Sequence, residues 1–334
     1  MHSGQFGCKG LYDLTTEVIV CTYNGSAFIV EQLESILKQT KRVTRISIYD
    51  DRSSDDTVPR IREFVARRPI DEQYLFTIKI NSTNLGYAHN FTNAIANSTE
   101  DVLFLCDQDD LWEPEKVEVF LKLFQQYAPD MVFSDGLLID RAGQKINRMT
   151  VLASYGLTKH RIAHFRENAF DLLIKQNYIN GAAVAIRRAA AQKALPLPCE
   201  MPHDYWLALW CSLHNGIVAT EQALYRYRQH QGNVIGTGSR NPLYILLGIW
   251  RQPTAPRERE LRVWTAVSDR IFCLPHRKET EVTRRKLTWL SRLLSTERKS
   301  LSRGIQILGS ALNGNYRKYS PKHAFLRDIV SLIK

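Results

Sequence analysis

Up to Gly136, apolar residues fall into two alternating periods. Glu17–Thr22 (EVIVCT), Arg45–Asp51 (RISIYDD), Phe76–Ile80 (FTIKI), Val102–Cys106 (VLFLC) and the segment DMVFSD at 130–135 are short apolar runs that read as buried strands. Between them, Ile29, Leu33, Ile36 and Leu37 recur at helical spacing, with Ser26 available as a cap. Val58, Ile61 and Val65 mark a second helix, and further helices are expected near Phe91–Ala96 and over Glu115–Tyr127. Strands alternating with helices predict an α/β fold: a mostly parallel, doubly wound sheet with helices on both faces. Ligands of such sheets bind in the crevice at the carboxyl ends of the strands. Those ends read YNG, DDRSSD, NLG and DQDD, so four polar clusters far apart in sequence are expected along one edge.

Beyond Gly136 the alternation is lost. AFDLLIKQN reads as a helix, and YINGAAVAIRR as a strand with a small-residue bend at Gly181–Ala183. Pro202–Asn215 is a helix, and ALYRYRQHQGNVIG a strand running into a glycine-bearing loop. From Asn241 onward the pattern is helical and basic. Leu287, Leu290, Leu294, Leu301, Ile305, Leu308 and Leu312 form an apolar stripe expected to dock these helices on the body. The chain therefore divides into an N-terminal extension (1–16), an α/β domain (17–239) and a basic α-helical region (240–334).

Charge sharpens that division. Of the net +11, Arg240–Lys334 carries 20 Lys+Arg against 7 Asp+Glu, which is +13, so residues 1–239 are close to neutral. A basic segment of this kind points to an anionic surface, such as membrane headgroups, and basic positions for it would include Arg284, Arg285 and Lys286. The opening MHSGQFGCKGLYDLTT lacks a basic start followed by an apolar stretch, so no signal peptide is read. No apolar run approaches the ~20 residues of a spanning helix. Six cysteines without a C-x-x-C pair suggest a reducing compartment. The expected location is cytoplasmic, with a peripheral position on the inner face of the cytoplasmic membrane.

The strand end EDVLFLCDQDDLWEP sets the chemical question, because Asp107, Asp109 and Asp110 crowd three carboxylates together. Neither G-x-G-x-x-G nor G-x-x-x-x-G-K-[ST] is present, so backbone amides of a glycine loop do not cradle phosphate here. A crevice that binds phosphates without such a loop needs a metal to neutralise them, and carboxylates are the ligands of Mg²⁺ and Mn²⁺. Asp107 and Asp109 are the candidates. Asp110 either caps the following helix or supports the site from behind.

The ordered motifs TYNG, DDRSSD, NLGYAHNF, CDQDDLW, HDYW and YRQHQGNVIG resemble a family 2 glycosyltransferase with the GT-A fold. They are most similar to the bacterial subgroup that includes rhamnosyltransferases of O-antigen and other surface polysaccharides. The resemblance covers about Glu17 to Gly236. It implies an inverting, metal-dependent transfer from a dTDP- or UDP-linked sugar to a saccharide acceptor carried on lipid, with Mg²⁺ or Mn²⁺ as cofactor. It places Thr22, Tyr23 and Asn24 in the base and ribose pocket, with Asp51, Asp50, Asn84 and Gly86 as further donor contacts. It assigns Asp107 and Asp109 to the metal and diphosphate, Asp204 to the general base, and His230 to a third metal or phosphate contact. Trp112, Gly181, His203, Trp206 and Arg228 fall on the acceptor side or behind the site. Arg52 departs from the pattern, standing where many members have glycine.

The base assignment also has an argument from the residues. Inverting transfer needs a carboxylate opposite the leaving group to take the acceptor's proton. Asp204 stands at an expected helix N-terminus, which favours its ionised form, beside an aromatic pair suited to a sugar ring. Two other functions fit parts of the pattern. A sugar-phosphate nucleotidyltransferase would need a glycine- and arginine-rich loop after the first strand, and YNGSAF supplies none. A non-catalytic nucleic-acid-binding protein would explain the charge, but no RNA or DNA module is recognisable and no nucleic acid is expected as a partner.

Overall fold

A computed structural model describes residues 14–230, 255–295, 301–321 and 324–333. The chain forms two compact units, one of residues 1–167 and 178–234, the other of residues 168–177 and 235–334.

The first unit is built on one sheet. Its strands are β1 (Thr16–Thr22), β2 (Arg45–Asp50), β3 (Phe76–Ile80), β4 (Val102–Asp107), β5 (Leu111–Trp112), β6 (Met131–Ile139), β7 (Lys145–Thr150), β8 (Val184–Arg187) and β9 (Ile217–Arg228). They lie in the order β3-β2-β1-β4-β8-β6-β9-β5, with β7 paired to β6. The β3-β2-β1-β4 half is parallel throughout. β8 is antiparallel to both β4 and β6, so the sheet turns mixed where the helix–strand alternation of the sequence stops. The apolar runs of β1 and β4 are buried on both faces: Val18, Ile19, Val20, Leu103, Phe104 and Leu105 are inaccessible, as a strand covered by helices on each side requires. The crossover helices Ile29–Leu37, Thr57–Ala66 and Lys116–Tyr127 turn Leu33, Ile36, Ile61, Phe120 and Phe124 onto this core.

Three local expectations change. Ser26 does not cap the first helix: its N–H donates to Asp55, and the turn is closed by the Gly25 carbonyl accepting from Phe28 and Ile29. The helix expected near Phe91 begins one turn earlier, at Tyr87, after Gly86 in a positive-φ conformation. Gly181–Ala183 is a 3₁₀ turn rather than a bend inside a strand, with the Asn180 side chain capping it and β8 beginning only at Val184. The glycine loop after His230 lies outside the described residues.

The described part of the second unit consists of helices Ala255–Phe272, Arg277–Ser295, Leu301–Leu312, Asn315–Tyr319 and Ala324–Ile333, together with residues 168–177. Its interior holds charges as well as apolar groups. Arg257 pairs with Asp328 (2.8 Å) and Glu260 (2.8 Å), and Lys286 pairs with Glu260 (2.7 Å) and donates to the Ile174 carbonyl (2.5 Å). Lys286 is fully buried over the Trp264 ring, so it is a structural cation and cannot meet an external surface, unlike its neighbours Arg284 and Arg285. The expected docking stripe splits. Leu290 is buried and Leu287 and Leu294 are half-buried, whereas Leu301, Ile305, Leu308 and Leu312 face outward. The residues their helix buries are Arg303 and Ile307. Among the described residues, no helix is long and apolar enough to cross a membrane.

Candidate active site

The carboxyl ends of β1 to β4 meet along one edge, and side-chain hydrogen bonds knit them together. Gln108, between the two candidate ligands, mimics a strand partner for Tyr23: its Oε1 accepts from the Tyr23 N–H (2.9 Å) and its Nε2 donates to the Tyr23 carbonyl (3.0 Å). The Thr22 hydroxyl donates to Asp50 (2.8 Å), whose carboxylate also takes the Ser53 hydroxyl and N–H. The Asn24 side chain accepts from the Ser54 N–H (2.9 Å), holding the DDRSSD turn against the end of β1.

Asp50 and Asp51, the two acidic donor-contact candidates at the end of β2, are both buried, and their carboxylates are engaged by neighbouring residues. Asp51 accepts from Asn81 Nδ2 (2.9 Å) and from the N–H groups of Leu85 (2.7 Å) and Gly86 (2.8 Å). It therefore shapes the 81–86 loop, whose Asn84 and Leu85 are exposed beside Tyr87, and Tyr23 is exposed at the end of β1. Arg52 has φ of +62°, the left-handed region that glycine occupies without cost, so an arginine here carries about 1–2 kcal/mol of backbone strain. Its guanidinium donates to the Ser82 carbonyl and ties the two loops together.

The acidic cluster is held from below. Arg228, fully buried at the end of β9, donates from its backbone to Asp110 (2.9 Å) and from Nε to the Asp109 carbonyl (2.7 Å). Its remaining nitrogens reach the Arg141 carbonyl and Glu31 (2.7 Å). Asp110 thus anchors β9 and caps no helix. Arg228 supports the backbone of the cluster from inside the unit. His230 reaches the cluster directly, with Nε2 2.8 Å from Asp109 Oδ2 and its ring stacked on Phe28. Burial, with Asp109 and Asp204 nearby, raises the Asp107 carboxyl to about 7. The negative charge at this strand end is under-neutralised by the protein alone.

One contributor escaped the sequence analysis. Lys116, the first residue of the helix after the cluster, is fully buried with Nζ 4.0 Å from the Trp112 ring centroid. Burial lowers its amine to about 7, opposed by Cys106, Asp110 and Asp107. Its Nζ donates to the Ala182 carbonyl (2.6 Å), linking the helix behind the acidic cluster to the 3₁₀ turn packed against Asp204. The only signal in the sequence was a lysine within an otherwise apolar helix face, which reads first as a solvated position.

Asp204 lies in the first turn of the helix His203–Ser212, and Pro202, not Asp204, is its flanking residue. Trp206 is a core residue whose Nε1 donates to the Ala194 carbonyl (2.8 Å), so no sugar stacks on it, and Trp112 is likewise buried. His203 is buried and stacks on Phe91 with centroids 3.9 Å apart. Desolvation lowers its imidazole to about 3, which keeps it neutral, and neither ring nitrogen has a hydrogen-bond partner. The absent side chain of Gly181 makes room for that ring. A Cβ there would sit 2.8 Å from His203 Nε2 and 3.8 Å from Asp204 Cβ. Gly181→Ala should therefore destabilise the fold by ~1–3 kcal/mol, as overpacking does, and shift Asp204. Chemical denaturation together with turnover checks this. Wild-type stability and turnover would show that the ring yields freely.

A parallel half-sheet with an acidic strand end, continued by a mixed half-sheet that carries a carboxylate on a helix N-terminus, defines a GT-A fold. The chain belongs to glycosyl transferase family 2, whose model matches residues 17–193. An uncharacterized protein of Mycobacterium tuberculosis is 26% identical over 216 residues, 64% of this chain but only 58% of that protein's length. The dTDP-rhamnosyl transferase RfbG of Shigella flexneri is 25% identical over 262 residues, covering 76% of this chain and 86% of the relative. Among solved structures, S. aureus TarS 1–349 in complex with UDP-GlcNAc aligns with a TM-score of 0.57 at 15% identity, over 96% of this chain and 89% of that one. The mannosyltransferase PcManGT of Pyrobaculum calidifontis, in complex with GDP-Man and Mn²⁺, gives 0.54 at 14% identity, over 96% and 86%. At these identities the structural likeness speaks for the fold.

Proposed function

We propose that the chain is an inverting, metal-dependent glycosyltransferase. It moves a sugar, with rhamnose the favoured candidate, from a dTDP- or UDP-linked donor to a saccharide acceptor. The setting is bacterial surface-polysaccharide assembly, O-antigen or capsule, with the acceptor carried on lipid and the basic helical region facing an anionic membrane. The domain reading stays that of the sequence: a catalytic α/β domain over 17–239 and the basic helices over 240–334. One observation carries the proposal. Asp107 and Asp109 lie at a strand end with Asp204 close enough to raise Asp107 further. This juxtaposition supports reading a charged-diphosphate site next to a base.

The residues present fit a divalent cation. Among the described residues no three His, Cys, Asp or Glu side chains form a ready-made cage. Mg²⁺ and Mn²⁺ are commonly held by one or two carboxylates completed by substrate phosphates, which two aspartates satisfy. Asp107 and Asp109 would hold the ion, with His230, hydrogen-bonded to Asp109, the candidate for a further metal or phosphate contact, and the ion would neutralise charge on the leaving diphosphate. The rest falls to the protein. The Tyr23–Asn24 turn and the 81–86 loop orient the donor nucleotide. Asp204 Oδ takes the proton from the acceptor hydroxyl as that oxygen attacks the anomeric carbon. Neutral His203 and Gly181 keep Asp204 in place.

The test is a thermal-shift screen of nucleotide-sugars with and without Mn²⁺ at two pH values. Below about 7 the Asp107 carboxyl holds a proton that a cation must displace, and above it the site is ready as an anion. The shift produced by donor plus Mn²⁺ should accordingly be small near pH 5.5 and large near pH 8. A donor shift independent of metal, or one larger at the lower pH, counts against the proposal.

A further inference from the structure

The helix Leu301–Leu312 presents an apolar face to the outside of the second unit. Leu301, Ile305, Leu308 and Leu312 are 83%, 62%, 53% and 88% exposed and recur at the spacing of a single helix face. The same helix is anchored from other sides, by buried Arg303 and Ile307 and by a hydrogen bond from Trp289 Nε1 to Ser310 Oγ (3.1 Å). Leu326, on the helix Ala324–Ile333, is exposed as well. A stripe of this size left in water is unfavourable unless something covers it.

Around the same helix from the stripe lies a groove of about 750 Å³ between it and the helix Arg277–Ser295. Arg284, Arg285, Arg292 and Lys318 line it, and Glu281 is the one acidic residue on its wall, paired with Arg284 (3.1 Å) and Arg285 (2.6 Å). On the helix Leu301–Leu312 the groove is bordered by Gln306, Gly309 and Ser310, which lie around the helix from the leucines. An exposed apolar face with cations around the same helical unit, on a helix too short to span a bilayer, fits a helix lying in a membrane interface.

We infer that this face inserts into an anionic phospholipid surface. Leu301, Ile305, Leu308 and Leu312 enter the boundary between headgroups and acyl chains, while the groove cations meet lipid phosphates. The inference rests on the membrane-facing reading above and makes it specific: insertion of this stripe, not adsorption of the basic region as a whole, holds the protein on the bilayer. Charge complementarity selects lipid over a second copy of the chain, since residues 240–334 carry +13 and two such surfaces repel.

The test is flotation of the full-length chain with phosphatidylcholine vesicles, with and without phosphatidylglycerol. Wild type should float only with the anionic vesicles. Ile305→Glu/Leu308→Glu should lose partitioning by about tenfold or more even at low salt, because burying apolar area supplies much of the binding. Arg284→Glu/Arg285→Glu should bind more weakly and with a flatter salt dependence. Leu308→Trp, which preserves an apolar face, should show blue-shifted emission on adding anionic vesicles. If the stripe variant binds like wild type while the arginine variant does not, this inference falls and the membrane reading stands. If wild type does not float, both fall. A wild-type dimer that the stripe variant dissociates, with vesicle binding unchanged, would assign the face to self-association and overturn the inference.

Discussion

Asp204→Asn should keep donor affinity and lose transfer by roughly 10²–10⁴, the usual contribution of a positioned base. The amide is nearly isosteric and leaves the first turn of the helix His203–Ser212 intact. It keeps an oxygen for the Tyr205 N–H, which the carboxylate accepts at 2.6 Å. It cannot take a proton from an incoming hydroxyl. Removing this negative charge also relieves one cause of the raised Asp107 carboxyl. Metal-assisted donor binding should therefore be no tighter at pH 8 and its onset should move to lower pH. Calorimetric donor titration beside turnover separates the two quantities. Near-normal turnover would remove Asp204 from the chemistry, and lost donor binding would make it part of the nucleotide site instead.

Asp107→Asn and Asp109→Asn should fail at the earlier step. Even partners behind a metal's ligands cost 10–100-fold in affinity when removed, so losing a ligand should weaken donor binding in Mn²⁺ by at least about that much. The two variants should differ in stability. Asp107 is half-buried among like charges, so replacing it removes repulsion and should raise the melting temperature of the metal-free protein at pH 8. Asp109 has His230 at 2.8 Å and should lose that partner on substitution. Metal-independent donor binding in wild type, or unchanged binding in both variants, would dissociate the acidic strand end from the diphosphate.

The parallel half of the fold was legible because its elements are locally self-consistent. Strand runs covered on both faces must be apolar throughout, and the helices between them carry their own periodicity. The four strand-end clusters follow from topology alone once the strands are parallel. The rest depends on partners distant in the chain. Asp51 reads as a ligand contact because an acidic residue at a strand end is polar either way, and only the folded 81–86 loop reveals the hydrogen bonds by which it also shapes that loop. Lys286 reads in sequence as a membrane-facing cation and Lys116 is not singled out at all, since a lysine reports its burial only through what packs around it. Trp206 sat beside Asp204 in sequence, yet the helix turns it inward. The leucines of the stripe predicted amphipathicity correctly but not which side the unit would cover. At Arg52 the departure from glycine was visible in sequence, and the positive φ that explains the usual glycine was not.

The central claim is a single displacement in which Asp204 deprotonates the acceptor opposite a metal-bound diphosphate. NMR of the anomeric centre in the product of one turnover tests it most directly. An anomeric configuration opposite to that of the donor is predicted. A retained configuration would contradict it.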